Sequence, residues 1–138
     1  MTGRLDGAVA LVTGAGRGLG RAIALAYGQE GAQVALTART REDLEAVAAE
    51  IGAEATLVYP GDVRDAGTAT ALVAAVIERF GRLDVLVNNA GSGMAQPTEQ
   101  MELVEWQRII ETNLTGPFLM TQAAGRVMLG QGSGRIIN

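Results

Sequence analysis

Short apolar runs alternate with helical periodicity along this chain. Four runs suit strands that are buried on both faces, at residues 8–12, 33–37, 55–59 and 85–87. Between the runs, apolar side chains recur at intervals of three and four residues, which is the period of one face of a helix. A fifth run begins at Arg135 and continues to Asn138. This alternation predicts βαβ units that build a parallel sheet.

Three helices are predicted between the first four runs, and each has one apolar stripe. Thr40 is expected to cap the second helix, with Asp43 at the capping-box position, and the third helix follows Asp65. Residues 98–129 are expected to be mostly helical. The three stripes are Leu19, Ala22, Ile23, Ala26 and Tyr27, then Leu44, Val47, Ala48 and Ile51, then Leu72, Val73, Val76, Ile77 and Phe80.

The order of the strands follows from the handedness of their connections. Right-handed crossovers between parallel strands predict the order 3-2-1-4-5, which is a doubly wound, three-layer α/β fold of the Rossmann type. In such a sheet the ligand crevice lies at the carboxyl ends of the strands, where the order reverses. The polar and glycine-rich motifs of this chain all follow directly behind predicted strands. We therefore expect them to share one site.

The glycine-rich stretch behind the first run carries the clearest chemical signal. Its pattern is Thr-Gly-x-x-x-Gly-x-Gly, from Thr13 to Gly20, and a helical period follows it. A strand-to-helix turn of this kind exposes backbone N–H groups at the positive end of a helix dipole, and glycine lets an anion approach the main chain. The stretch therefore predicts a site for the pyrophosphate of a dinucleotide, with an ordinary flexible loop as the alternative.

This spacing resembles the cofactor turn of the short-chain dehydrogenase/reductase family, whereas the G-x-G-x-x-G pattern does not occur in this chain. The style of the motifs is close to that of the 3-oxoacyl carrier-protein reductases in the family. The resemblance covers the whole chain as the cofactor-binding half of a family member, and implies one NAD(P)-binding Rossmann domain over residues 1–138. It implies cofactor contacts from seven consecutive residues, Gly14, Ala15, Gly16, Arg17, Gly18, Leu19 and Gly20.

Two further motifs match the family behind the third and fourth runs. They read Gly-Asp-Val and Asn-Asn-Ala-Gly. In the family the acid of the first motif accepts from the exocyclic amine of adenine, and the small residues of the second leave room for the adenosine ribose. A simple turn is the alternative for each motif. The resemblance thus adds five cofactor contacts, Asp62, Val63, Asn89, Ala90 and Gly91.

The end of the second run favours NADP(H) over NAD(H). NAD prefers a carboxylate for its ribose hydroxyls at that point, whereas the 2′-phosphate of NADP prefers cations. The chain offers Arg39 and no acid there, and Arg17 in the glycine turn can approach from the other side. In the family, basic residues at both positions go with NADP preference. Solvated surface charge is the alternative for both arginines.

Asn113 is the candidate catalytic residue of the chain. It follows Trp106, Ile109 and Ile110 at helical spacing, so its amide is expected on an apolar face, where it needs a partner. Pro117 has no N–H and cannot close the usual helical bond to the carbonyl of Asn113, so a kink is expected. By resemblance, the freed carbonyl holds a water of the family's proton relay. A purely structural asparagine is the alternative.

In the family, a serine, a tyrosine and a lysine assist hydride transfer between nicotinamide and a carbonyl or alcohol substrate. That trio cannot be placed here, because the 138 residues include no lysine to follow Tyr27 or Tyr59. We therefore expect the N-terminal piece of a longer oxidoreductase, cut in its fifth strand and inactive alone. A non-catalytic dinucleotide-binding module is the alternative.

Composition narrows the classes of partner. A net charge of −4 gives no basic footprint for nucleic acid or an anionic membrane. The chain has no cysteine and no histidine, so we expect no disulfide, no metal and no imidazole base. No apolar stretch approaches membrane-spanning length and the start lacks a secretory pattern, which predicts a cytoplasmic protein. The resemblance implies that the full-length protein is a homo-oligomer.

Overall fold

The structure, a computed structural model, describes residues 3–138. Within this range, parallel strands form one sheet in the order β3-β2-β1-β4-β5, which is the order expected from right-handed crossovers. The strands are β1 (Val9–Thr13), β2 (Gln33–Thr37), β3 (Thr56–Val58), β4 (Val85–Val87) and β5 (Arg135–Ile137).

Helices connect the strands and lie on both sides of the sheet. The segment between β4 and β5 is helical in two parts, joined by a π-helical segment, Glu111–Thr115, and short 3-10 helices cover Ala53–Ala55 and Thr98–Gln100. The α-helices are α1 (Gly18–Gln29), α2 (Arg41–Ile51), α3 (Ala66–Phe80), α4 (Leu103–Ile110) and α5 (Gly116–Gln131).

Alternating side chains of β1 feed two separate apolar cores. Val9 and Leu11 pack with α3 and α5 on one face of the sheet, and Ala10 and Val12 pack with α1 and α2 on the other. All four side chains are fully buried, which is why this strand reads as a continuous apolar run. The predicted three-layer α/β fold is thereby confirmed, and its layers bring the carboxyl ends of β1 to β4 to one edge.

The predicted stripe of α1 is wrong at several positions. Leu19 is 70% exposed, and the residues of α1 that the sheet buries are Gly20 and Ala24. Small residues face the sheet because the glycine turn holds the start of α1 so close to β1 that a Cβ on Gly20 would overlap the Gly14 carbonyl oxygen. Close approach, rather than apolar bulk, selects the buried face of this helix.

The cap of α2 also differs from its prediction. Thr40 occupies the N-cap position, but its side chain makes no capping hydrogen bond. Asp43 lies against Gly16 of the glycine turn, so the capping box does not form. By contrast, Asp65 caps α3 with a 3.0 Å hydrogen bond from the N–H of Gly67, and Gly81 ends that helix with φ +81°.

The helix break expected near Pro117 takes the form of a π-helical segment. The N–H of Gly116 bonds to the carbonyl of Glu111, five residues earlier, and Pro117 stands in the first turn of α5. Gly116 is buried against Val63, and a Cβ there would come within 2.9 Å of the Val63 side chain. The widened turn therefore brings α5 against the loop that follows β3.

Candidate functional site: a nucleotide pocket at the strand ends

A cavity of about 500 Å³ opens at the carboxyl ends of the strands. Its walls come from the glycine turn after β1 and from the segments that follow β2, β3 and β4. Its volume is in the range of small-molecule and cofactor sites. Ten of the predicted site residues line it: Gly14, Gly16, Arg17, Gly18, Arg39, Asp62, Val63, Asn89, Ala90 and Gly91.

The glycine turn presents main chain to this cavity. Gly14 and Gly18 have φ of +62° and +58°, a left-handed backbone that favours glycine. Arg17 is the N-cap of α1 and its side chain makes no capping bond, so side chains do not compete for the first amides of the helix. These features fit the phosphate groups of a nucleotide, since uncapped amides and the helix dipole attract an anion.

Thr13 and Asn89 lock the glycine turn to the segment after β4. The Thr13 hydroxyl accepts from the N–H groups of Asn89 at 3.0 Å and Ala90 at 2.9 Å. The Asn89 side-chain amide donates to the carbonyls of Thr13 at 3.1 Å and Gly14 at 3.2 Å. The predicted contact of Asn89 with the cofactor remains a prediction; in the structure its amide nitrogen fixes the shape of the pocket wall.

The charges that line the pocket are mixed. Arg17 and Arg39 are exposed at the cavity, and Asp43 in the first turn of α2 also lines it, next to Gly16 of the glycine turn. Exposed guanidinium groups are free to meet a phosphate with paired N–H donors. The segment after β2 offers Ala38 and Arg39 to the cavity and no carboxylate of its own, in keeping with the expected phosphate preference.

Asp62 is held by Arg64, its neighbour two residues on. The Arg64 guanidinium donates through Nη2 to Oδ2 at 2.7 Å, and the Arg64 N–H donates to Oδ1 at 2.9 Å. Hydrogen bonds from Arg64 lower the pKa of the Asp62 carboxyl below its ordinary value, against an opposing effect of burial. The carboxylate is therefore ionised at neutral pH and can act as an acceptor only.

Asn113 lies beside a second, more open cavity that shares Ala90, Gly91 and Ser92 with the first. Its amide nitrogen donates to the Ser92 carbonyl at 2.7 Å, and its Oδ1 accepts from the Ser92 N–H at 2.8 Å. Asn113 is exposed rather than buried in a core. The partner that its amide was expected to need is thus the main chain after β4, and the role of its own carbonyl stays a prediction.

Three predicted contacts do not line the nucleotide cavity. Ala15 and Gly20 are buried beneath the turn, and Leu19 is exposed on the outside of α1. Sequence reasoning in turn missed several residues of the walls. Arg64 adjoins a recognised motif, whereas Arg108 and Thr112 come from a helix whose pattern indicates only an amphipathic element. The missed wall residues with polar side chains are Thr40, Asp43, Arg64, Arg108 and Thr112.

Residues 3–138 contain neither a cluster of metal ligands nor a helix suited to a membrane. No group of three or more carboxylates stands close enough to hold a metal ion. None of the helices in this part of the chain has the length and apolar character needed to cross a membrane.

Comparison with known proteins agrees with this geometry. The profile of the family described as short chain dehydrogenase matches residues 8–138. The chain therefore belongs to the short-chain dehydrogenase family, as its cofactor turn and its strand order had indicated.

Curated relatives match nearly the whole chain. The D-threitol dehydrogenase of Mycolicibacterium smegmatis is 46% identical over 137 residues, which are 98% of this chain and 53% of that protein. The 3-oxoacyl-[acyl-carrier-protein] reductase of a Synechocystis species is 45% identical over 138 residues, and the match covers 97% of this chain and 56% of that protein. The chain spans about half the length of these relatives.

Solved structures share the fold. A metagenomic short-chain oxidoreductase crystallised in complex with NADP has a TM-score of 0.90 and 42% identity, covering 97% of this chain and 62% of that one. A short chain dehydrogenase from Bacillus anthracis has a TM-score of 0.93 and 34% identity, and the match covers 97% of this chain and 57% of that one.

Proposed function

We propose that this chain is the cofactor-binding part of an NADP(H)-dependent oxidoreductase that interconverts a carbonyl compound and an alcohol. The observation that carries the proposal is the pocket itself, which is lined by the uncapped start of α1, by the exposed Arg17 at its N-cap and by the exposed Arg39 after β2. The bound nicotinamide would supply the hydride chemistry. The protein residues named here would bind the cofactor and orient it.

In this proposal, the α1 turn holds the pyrophosphate through the amides around Gly16 and Gly18. Arg17 and Arg39 meet the 2′-phosphate, and the Asp62 carboxylate accepts from the adenine amine. Ala90 and Gly91 line the cavity without bulky side chains, which leaves room for the adenosine ribose. The NADP complex of a similar oxidoreductase supports NADP as the cofactor.

The first test is fluorescence titration of the chain with NADPH and with NADH. We expect NADPH to bind more tightly, and Arg39→Gln to weaken NADPH binding about tenfold while NADH binding changes little, because one charge-assisted phosphate contact is lost. Arg41→Gln is the matched control, since Arg41 is exposed, starts α2 and pairs with Glu45 away from the cavity.

Two results would decide against parts of the proposal. Absence of binding at millimolar NADPH and NADH would contradict the proposal that this pocket is a dinucleotide site. Tighter binding of NADH than of NADPH would leave the site in place and contradict the roles given to Arg17 and Arg39.

Catalysis by the whole protein is a separate proposal. Asn113 would hold a relay water through its main-chain carbonyl, and residues beyond Asn138 would supply the serine, the tyrosine and the lysine four positions after it. The codons that follow Asn138 in the gene test this directly. A serine and a Tyr-x-x-x-Lys motif support the enzyme, whereas a stop codon there supports the non-catalytic dinucleotide-binding module. A cytoplasmic location stays a prediction in either case.

A further inference from the structure

Arg64 lies in the nucleotide pocket, although no motif gives it a part in binding. It lines the cavity together with Asp62 and Val63. Its Nε lies 3.1 Å from each Asp62 carboxylate oxygen, its Nη2 lies 2.7 Å from Oδ2, and its main-chain nitrogen lies 2.9 Å from Oδ1. Three donors of one residue therefore converge on one carboxylate.

This contact restricts what Asp62 can do. An ionised carboxylate has about four acceptor positions. Arg64 contacts each oxygen twice, but its Nε proton is shared between the two oxygens, so its three N–H groups leave capacity for about one further donor. Both side chains are 33% exposed, so the pair lies on the pocket wall rather than in bulk solvent. A two-point guanidinium contact also fixes the plane of the carboxylate. The direction of the open acceptor position is therefore set by Arg64.

Asp62 pairs with Arg64 and makes no hydrogen bond or salt bridge with Arg39. The charge of Arg39 reaches Asp62 only as the weakest of the influences that lower the pKa of its carboxyl, whereas Arg64 bonds it directly. If Asp62 turned toward Arg39, the pair would neutralise an arginine that faces the cavity and withdraw an acceptor from it. In this arrangement Arg39 and the Asp62–Arg64 pair are separate groups on the cavity wall.

We propose that Arg64 is a positioning residue for adenine recognition, holding the Asp62 carboxylate so that its open oxygen position accepts the exocyclic amine of the cofactor's adenine. This rests on the proposed function, because it takes Asp62 as the adenine contact. Arg64 acts through Asp62 and need not touch the cofactor.

The test compares two ligands that differ at the adenine amine. The chain is titrated with NADPH and with reduced nicotinamide hypoxanthine dinucleotide phosphate, in which a carbonyl oxygen replaces that amine. We expect the wild-type chain to prefer NADPH by about tenfold or more, because hypoxanthine faces the carboxylate with an acceptor. In Arg64→Met this preference should fall to about twofold or less, mainly through weaker NADPH binding.

Arg82 provides a matched control. It bonds Asp84, two residues on, through Nε at 3.0 and 2.8 Å and Nη2 at 2.6 Å, and neither residue lines the pocket. Arg82→Met removes the same kind of ion pair and should keep the wild-type preference for adenine. Asp62→Asn should lose the preference, and adding Arg64→Met to it should cause no further loss, since both changes remove one interaction.

The outcomes separate this inference from the proposed function. Binding of NADPH by wild type with an unchanged preference in Arg64→Met overturns the inference alone, even if both ligands bind more weakly. Equal binding of both ligands by wild type also overturns it and leaves the dinucleotide site intact. Failure of wild type to bind either ligand overturns the proposed function as well.

If circular dichroism shows that Arg64→Met does not fold, a second variant tests the same inference. Arg64→Lys keeps the charge but cannot form the planar two-point contact. Its preference for adenine should fall below that of wild type, and a wild-type preference in Arg64→Lys contradicts the positioning role.

Discussion

Missing Cβ atoms shape the glycine turn after β1 as much as backbone flexibility does. A Cβ on Gly20 would overlap the carbonyl oxygen of Gly14 and the side-chain amide of Asn89. A Cβ on Gly16 would come within 2.9 Å of the Asp43 Cβ. The packing of the turn against α2 and the segment after β4 thus requires this glycine spacing, independently of the proposed approach of a phosphate.

Gly20→Ala should therefore disturb the turn. Because backbone atoms oppose the added methyl group, we expect a loss of about 1–3 kcal/mol in the free energy of unfolding and weaker NADPH binding. Gly125→Ala is the control, since its Cβ would meet open space in α5, and it should stabilise the chain by about 0.5–1 kcal/mol. Urea unfolding and NADPH titration measure both effects. Wild-type stability and affinity in Gly20→Ala would contradict the packing argument.

At this scale the sequence predicted the site in part. Motif residues such as Gly18 and Asp62 meet in one cavity because they follow neighbouring parallel strands, and that geometry is implicit in the strand order. Arg108 could not be foreseen, because its position in the wall depends on how α4 docks. An arginine on an amphipathic helix indicates only a solvent-facing side chain.

At the scale of elements, buried parallel strands were the easiest to predict. The bounds of β2 and β4 match the predicted runs, and β1 is displaced by one residue, because strands buried on both faces consist of little but apolar residues. Periodicity failed for the face of α1, where close packing selects Gly20 and Ala24. Periodicity also could not predict the π-helical segment. Pro117 indicates that one helical hydrogen bond is lost, but it does not indicate how the helix rearranges around that loss.

Asp84 joins three strands at the amino-terminal edge of the sheet. Its Oδ2 accepts from the N–H of Val9 in β1 at 2.9 Å, its N–H donates to the Val9 carbonyl at 2.9 Å, and its carbonyl accepts from Arg135 of β5 at 2.8 Å. Burial raises the pKa of Asp84, but hydrogen bonds from Arg82 and Val9 outweigh it, so the pKa lies below its ordinary value.

The stabilisation from Asp84 should consequently depend on pH. A lowered pKa in the folded state means that it is complete above the ordinary value of 3.8 and is lost as pH falls through the lowered value. At pH 7 we expect Asp84→Asn to be less stable by about 1–3 kcal/mol, because a charge-assisted bond is lost. Urea unfolding at a series of pH values should show the two curves converging in acid.

Glu99→Gln is the control for this series. Glu99 is an exposed carboxylate in the 3-10 helix Thr98–Gln100, so its variant should unfold like wild type at each pH. A constant difference between wild type and Asp84→Asn from neutral to strongly acid pH would mean that the ionised carboxylate does not provide the stabilisation.

At the scale of the whole molecule, the surface of α4 and the turn after it is unusually apolar. No residue of α4 is buried, although it carries large apolar side chains. Apolar surface of this kind marks interaction sites on proteins. The exposed large apolar side chains on α4, the π-helical segment and the start of α5 are Leu103, Val104, Trp106, Leu114 and Phe118.

We predict that this surface packs against a second copy of the chain. The full-length protein is expected to be a homo-oligomer, so the expected partner is a second copy of the chain. A twofold axis would bring this surface of one copy against the same surface of the other. Leu114→Glu should raise the dimer dissociation constant about tenfold or more, because a buried unpaired carboxylate is costly. Sedimentation equilibrium at micromolar concentration measures the change.

Leu19→Glu is the control that distinguishes a specific interface from non-specific hydrophobic association. Leu19 is 70% exposed on α1 and Leu114 is 65% exposed, so the two substitutions remove similar apolar surface from different sides of the sheet. If α4 and α5 form the interface, Leu19→Glu keeps the wild-type mass and only Leu114→Glu shifts toward monomer. Equal effects of both substitutions would mean that association depends on total apolar area. A monomeric wild-type chain would contradict the predicted interface. Neither result would bear on the proposed nucleotide pocket, because a single chain forms it.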